Sequence, residues 1–127
     1  MKAYKDDINK KVKNADNARI LADFVDHSIA TGKSGRRIDR YIDALYPMSN
    51  RIGKPFRDMG KADVQEYIKE LVERKDYADW TKYTYQVIIK NCFFPWLYGT
   101  DRGEYPEMVK WMRPRVPSRN NKQSRKT

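Results

Sequence analysis

The sequence predicts an all-α fold with four main helices and a short fifth. Apolar residues recur at intervals of three and four in successive segments, which is the spacing of one helix face. No segment shows the alternation of apolar and polar residues that a half-buried strand requires. At 127 residues with 39% apolar content, the chain is long enough for one domain with a modest core.

The first predicted helix covers about residues 16–31. Asn14 or Asp16 can cap its start, and Gly32 supplies a left-handed stop. Its apolar stripe consists of Ile20, Leu21, Phe24, Val25 and Ile29. Residues 1–13 show no sustained period, so we expect a basic arm or a loosely attached turn before this helix.

Ser34 is the predicted cap of the second helix. The core-facing stripe of this helix consists of Ile38, Tyr41, Ile42 and Leu45. Pro47 should end or kink the helix, because its ring removes a backbone donor and clashes with the preceding turn. Met48 and Ile52 continue the stripe, which favours a kink or a short restart before Gly53.

A loop at 53–60 leads to the third predicted helix, at about 62–75. Its stripe is the clearest in the chain: Val64, Tyr67, Ile68, Leu71 and Val72. Asp63 falls in the first turn and Arg74 and Lys75 in the last, as the helix dipole favours.

The fourth predicted helix covers about residues 82–98, with Thr81 as its cap. Apolar and aromatic residues surround it almost completely, which is typical of a central core helix. We expect a bend at Pro95 and a stop at Gly99. The short fifth helix should start at Pro106, since proline is favoured at a first helical position.

The positive charge of the chain is concentrated at its ends. The net charge is +10, of which residues 1–13 carry +3, residues 14–112 carry +1 and residues 113–127 carry +6. We therefore divide the chain into a basic arm, a folded domain at 14–112 and a basic linker or tail. Basic ends favour nucleic acid because each neutralised phosphate releases a counterion; the alternative is that they only keep the protein soluble.

Several functional classes lack the residues they would need. No apolar run approaches the ~20 residues of a membrane span, and the first residues carry no signal-peptide h-region. Cys92 is the only cysteine, so we expect no disulfide within the chain and a cytoplasmic location. We also expect no catalytic residues, metal, cofactor or small-molecule ligand: His27 is the sole histidine, and no basic group is placed to activate a tyrosine.

A basic cluster marks the start of the second helix. At about 100° per residue, Arg36, Arg37 and Arg40 occupy one arc opposite the core stripe, next to Lys33 and Ser34. Guanidiniums, a hydroxyl and free helix-terminal amides suit phosphate oxygens. The alternative is a solvated face on which Arg36 pairs with Asp39 and Arg40 with Asp43 at i,i+3 spacing.

The fourth helix carries a polar strip formed by Lys82, Gln86 and Lys90, which step by four. Together with Thr81 and Tyr83 these groups suit a DNA backbone. The alternative is that they are the solvent-facing strip that a central helix needs.

Two stretches resemble a known family. One is Gly32 to Leu45, with a turn, the capping Ser34 and the pattern Arg37-Ile38-x-x-Tyr41-x-x-x-Leu45. The other is Trp80 to Trp111, including Thr81, Tyr85, Phe93, Trp96-Leu97-Tyr98-Gly99 and Pro106. Over about residues 14–113 the chain resembles the core-binding domain of tyrosine recombinases (phage-type integrases), particularly their archaeal branch.

The resemblance implies a SAM-like bundle that closes over one side of double-stranded DNA, on which other recombinase protomers could sit. The family's second and fourth helices and its interdomain linker would then contact DNA through Lys33, Ser34, Arg36, Arg37, Arg40, Thr81, Lys82, Tyr83, Gln86, Lys90, Arg113 and Arg115. The family's catalytic tyrosine belongs to a later domain for which this chain has no room, so we expect no enzyme activity. The alternative is a SAM-like protein-interaction module anchored by Trp80, Tyr105 and Trp111.

Overall fold

The computed structural model describes residues 3–101 and 103–117, and within them every regular element is helical. The all-α prediction is therefore confirmed, whereas the SAM-like arrangement remains a prediction. The helices are α1 (Tyr4–Lys11), α2 (Ala15–Ala30), α3 (Gly35–Ile52), α4 (Lys61–Glu73), α5 (Asp79–Val87), α6 (Phe94–Tyr98) and α7 (Glu107–Lys110). A 3₁₀ turn covers Phe56–Asp58, and a π-helical turn, Ile88–Phe93, joins α5 to α6 without a break.

The core is centred on Phe93, at the end of the π-helical turn. Its ring lies 5.4 Å from that of Phe24, 4.6 Å from that of Phe56 and 5.1 Å from that of Phe94, all three in edge-to-face contact. Edge-to-face pairs at these distances are favourable beyond the area they bury. The π-helical turn and α6 are thus the buried part of the predicted central helix, whereas α5 contains no buried residue.

The N-terminal segment is not the loose arm that the sequence predicted. Residues 4–11 form α1, and Ile8 and Val12 are buried with 0% and 5% of their surfaces exposed. Asn50 of α3 holds the end of α1 against α3 with two hydrogen bonds. Its Oδ1 accepts from the Lys13 amide at 3.0 Å, and its Nδ2 donates to the Lys11 carbonyl at 2.8 Å. Two apolar residues four apart are enough to dock one short helix face, although the charge around them hides the pattern.

Helices α2 and α3 begin and end where the sequence indicated. Asn14 and Ser34 cap their starts, and Gly32 and Gly53 adopt positive φ just past their ends. The expected end or restart at Pro47 is wrong, because α3 continues through it to Ile52. Burial of Met48 and Ser49 beyond the proline holds the last turns in place; one buried methionine contributes about 1.5–3 kcal/mol, comparable to the roughly 3 kcal/mol cost of an interior proline.

The later boundaries differ from prediction by a few residues. Helix α4 ends at Glu73, so Arg74 and Lys75 follow it rather than form its last turn. Helix α5 begins at Asp79 after Ala78, and Thr81 therefore lies inside the helix instead of capping it.

The π-helical turn was not predicted by the sequence pattern. It ends just before Pro95, which falls in the first turn of α6. Pro95 cannot donate to a carbonyl of the preceding turn, and this missing donor adjoins the turn in which the hydrogen bonds take the longer i→i+5 spacing. The rod formed by α5, the π-helical turn and α6 stays continuous to its glycine stop at Gly99, whose φ is +63°.

Candidate nucleic-acid interface

The capped start of α3 determines which way its side chains face. Ser34 Oγ accepts a hydrogen bond from the Arg37 amide at 3.1 Å, satisfying one of the free donors of the first turn. From this start, Ile38 and Tyr41 are buried, whereas Lys33, Arg36, Arg37 and Arg40 are exposed. The predicted outward arc of arginines is confirmed.

The arginines form one wall of an open groove between α3 and α5, which we call the arginine groove. The groove holds about 470 Å³. It is lined by Ser34, Arg36, Arg37, Arg40, Tyr83, Thr84, Val87, Ile88 and Cys92. Cationic groups therefore face an aromatic and aliphatic wall that carries two hydroxyls.

Within the described part of the chain, the guanidiniums of this wall are not paired with carboxylates. Among residues 3–101 and 103–117, no ion pair includes Arg36, Arg37 or Arg40, so these arginines do not form the pairs with Asp39 and Asp43 that a solvated face would carry. Elsewhere arginines do pair, as Arg51 does with Glu70 at 2.6 Å. The arginine groove is thus a concentration of positive charge on a domain whose folded part is nearly neutral.

The Cys92 thiol, which lines the arginine groove, is partly shielded from water. Burial raises the pKa of the Cys92 thiol, and the hydrogen bond from Tyr41 and the charges of Arg37 and Lys33 only partly oppose that effect. Burial is also the largest cause of the raised pKa of Tyr41. The Cys92 thiol beside the arginines therefore has less thiolate character than a free cysteine.

A second groove lies on the other side of α5, and we call it the C-terminal groove. It holds about 350 Å³ and is lined by Val72, Asp79, Lys82, Tyr83, Gln86, Arg115, Val116 and Pro117. Lys82 Nζ donates to the Val72 carbonyl at 2.8 Å, and Gln86 Nε2 donates to the Lys82 carbonyl at 3.3 Å. Tyr83 lines both grooves, so it stands on the ridge between them.

Lys90 does not lie on the exposed strip that the sequence predicted, so its ammonium is not presented for the expected DNA contact. Only 9% of the residue is exposed. Its ammonium donates to the Met112 carbonyl at 2.6 Å and lies 4.5 Å from the centroid of the Tyr105 ring. Burial, and then the charge of Arg113, lowers its pKa. Lys82 and Gln86 do line a groove on one side of the helix, as the spacing predicted. Residues 105–112 cover the end that carries Lys90, and the pattern of a single helix cannot reveal this contact.

Of the three remaining residues expected to contact DNA, one lines a groove and two do not. Arg115 lines the C-terminal groove, whereas Thr81 lines neither groove. The Arg113 guanidinium is turned back on its own chain, where it donates to the carbonyls of Lys110 at 3.1 Å and Met112 at 3.2 Å.

Two of the three aromatic anchors expected for a protein-interaction module pack against other residues of the fold and are not exposed. Trp111 is half-buried, with its Nε1 donating to the Met108 carbonyl at 2.6 Å, and Tyr105 packs against Lys90. Trp80 alone is substantially exposed, at 44%, with its ring edge-to-face with that of Tyr83 at 5.7 Å.

No group of three His, Cys, Asp or Glu side chains in residues 3–101 and 103–117 could hold a metal ion. None of the described helices is long and apolar enough to cross a membrane.

No family model, curated protein or solved structure matches this chain, so the resemblance to recombinases rests on the sequence pattern alone.

Proposed function

We propose that this chain is a non-catalytic domain that binds double-stranded DNA through the arginine groove. One observation carries the proposal: three guanidiniums, none with a carboxylate partner among the described residues, form one wall of an open groove at the capped start of α3. A planar guanidinium matches phosphate oxygens in a bidentate fork.

The rest of the groove suits the same ligand. Tyr83 and Thr84, each with a hydroxyl, line the facing wall, and such groups commonly hold the sugar–phosphate backbone in register. An arginine that reaches a major groove can also contact the O6 and N7 atoms of guanine. Binding by phosphate contacts with modest base readout is therefore the expected mode.

The recombinase assignment is an additional step of the proposal. It depends on the resemblance of residues 14–113 to the core-binding domain of tyrosine recombinases. In that assignment α3 and the rod formed by α5, the π-helical turn and α6 face one side of the duplex, and further protomers occupy neighbouring sites.

Fluorescence anisotropy with a labelled duplex across a salt series tests DNA binding by the full chain. The test variant replaces Arg36, Arg37 and Arg40 by Ala. The matched control replaces Lys10, Arg19 and Lys69, which are exposed and outside both grooves, so the loss of charge is equal. Each phosphate contact contributes about −0.9 to the log–log salt slope, so the test variant should flatten the slope by about 2.7 and the control by much less.

Equal effects of the two variants would mean that the domain attracts DNA only through its total charge. In that case the proposed groove is wrong, even if the chain binds DNA.

A second candidate function is favoured only by the exposure of Trp80. Exposed tryptophans are frequent hot spots of protein interfaces. Sedimentation of the full chain without DNA tests for self-association: a molecular mass that rises with concentration and falls on Trp80→Ala would support this function over DNA binding, whereas a monomer at all concentrations argues against self-association.

A further inference from the structure

Lys90 is an unusual side chain for its position. Four buried residues within the described chain are polar or charged, and Lys90 is the one that carries a charge. Its ammonium is held by a carbonyl and an aromatic face. Taking an ammonium out of water is costly unless it makes strong contacts, so this arrangement calls for a specific role.

Lys90 binds the Met112 carbonyl, at the end of the buried part of the described C-terminal segment. Val109 and Met112 are buried, and they form the last buried apolar contacts of the described C-terminal segment. The bond to the Met112 carbonyl fixes the backbone immediately before Arg113. Three residues after Met112, Arg115 begins the segment that lines the C-terminal groove with Val116 and Pro117.

The position of Arg115 depends on the chain that leads to it. Arg115 and Val116 are exposed, and Val116 has 59% of its surface in solvent. Side chains so exposed contribute little burial to hold the backbone in place. Their location beside α5 therefore depends on the direction in which the chain leaves Met112.

We infer that Lys90 is a positioning residue that sets the path of the C-terminal segment, so that Arg115 lies beside Lys82 and Gln86. The C-terminal groove then extends the arginine groove across Tyr83, which lines both. The sugar–phosphate backbone of one strand of the duplex can then pass from the arginine groove over Tyr83 to Lys82 and Arg115. The path of the chain stands by itself, whereas its role in DNA contact rests on the proposed function.

The path is tested in the full chain without DNA by comparing backbone ¹⁵N order parameters of the wild type and Lys90→Met. Methionine has a similar length but cannot donate to the Met112 carbonyl. The order parameters of Arg115 and Val116 should fall from the ordered range to below about 0.6, while those of α2 stay unchanged. The matched control, Lys82→Met, removes another ammonium of the same rod, one that donates to the Val72 carbonyl of α4, and should leave Val116 ordered.

Unchanged order at Arg115 and Val116 in a folded Lys90→Met chain would overturn the inference. If that variant does not fold, Lys90→Leu, which likewise cannot donate to the Met112 carbonyl, takes its place, and the same two amides provide the same decision.

A double-mutant cycle in the DNA salt series tests the role in binding. Lys90→Met and Arg115→Ala should each flatten the slope by about 0.9. Because Lys90 acts through Arg115, the double variant should flatten it no further than Arg115→Ala alone, whereas Lys90→Met and Arg36→Ala should add. Additive effects of Lys90→Met and Arg115→Ala on the slope would refute the positioning role. A slope that the triple arginine variant leaves unchanged would instead refute the proposed function. In that case the order parameters would still decide whether Lys90 sets the path of the chain.

Discussion

Asn17 is buried at the junction of α2, α3 and the loop after α3, and its replacement should destabilise the domain strongly. The amide nitrogen donates to Ser49 Oγ and to the Lys54 carbonyl, both at 2.9 Å, and the amide oxygen accepts from the Phe56 amide at 2.7 Å. Asn17→Ala removes these three bonds together.

The size of the effect follows from the groups left behind. The Ser49 hydroxyl can turn to a carbonyl of its own helix, but the Phe56 amide and the Lys54 carbonyl lose these partners. The buried Phe56 amide costs about 1–3 kcal/mol when it is left without a partner, whereas the Lys54 carbonyl, on an exposed residue, loses only the net value of one hydrogen bond, about 0.5–1.5 kcal/mol, so we expect a loss of about 1.5–4.5 kcal/mol. A domain of this size has about 5–15 kcal/mol of stability in total, so the variant should still fold but unfold at a much lower urea concentration.

Urea unfolding followed by circular dichroism measures this loss. Because urea slopes are about 1–3 kcal/mol per molar, the midpoint should fall by about a molar or more. Arg19→Ala is the control on the same helix, since it removes only an exposed pair with Asp16 and should cost under about 0.5 kcal/mol. A loss below about 1 kcal/mol for Asn17→Ala would refute the reasoning, because it would mean that water replaces the amide with little penalty.

Two further predictions concern titratable groups. The Gly60 amide, and then Lys54, lowers the pKa of Asp63, so the stability that this carboxylate adds is present above the ordinary carboxyl pKa and is lost as the pH falls through the lowered value. Asp63→Asn should therefore lower the urea midpoint at neutral pH and leave it unchanged in strong acid; an equal loss at both would contradict an ionic cause. Burial raises the pKa of Cys92, so iodoacetamide should label it at least about tenfold more slowly in the folded chain than in urea. Bound duplex should slow the labelling further, because Cys92 lines the arginine groove, and labelling at the unfolded rate would contradict the raised pKa of the thiol.

The sequence predicted the parts of the fold that depend on neighbouring residues. Caps at Asn14 and Ser34, the glycine stops and the apolar stripes are signals contained within one helix, and the structure confirms them. Ile29 and Val72 were expected in those stripes but are 49% exposed, because each stripe is wider than the surface its partners cover.

The parts that could not be predicted depend on segments distant in the sequence. The burial of Lys90 requires residues 105–112, and the docking of α1 requires Asn50, which lies 37 and 39 residues away from its two partners. The candidate site shows the same division. The arginine wall follows from α3 alone, whereas the facing wall with Tyr83 and Thr84, and the separate groove that holds Lys82, require the packed structure.

The π-helical turn has a consequence for how the chain tolerates changes in length. A π-helical turn contains one residue more than the α-helical turn it replaces, so a single deletion within Ile88–Phe93 would restore an α-helix and keep the later side chains of the rod near their present positions. A single insertion has the opposite effect, because one residue corresponds to about 100° of rotation: Phe94 and Leu97 would leave the core, and Trp96 would lose its contact with Phe24 at 5.1 Å. Natural insertions should therefore be rare in this turn and common in the segment between Gly99 and Pro106, where an added residue moves no buried ring of the rod.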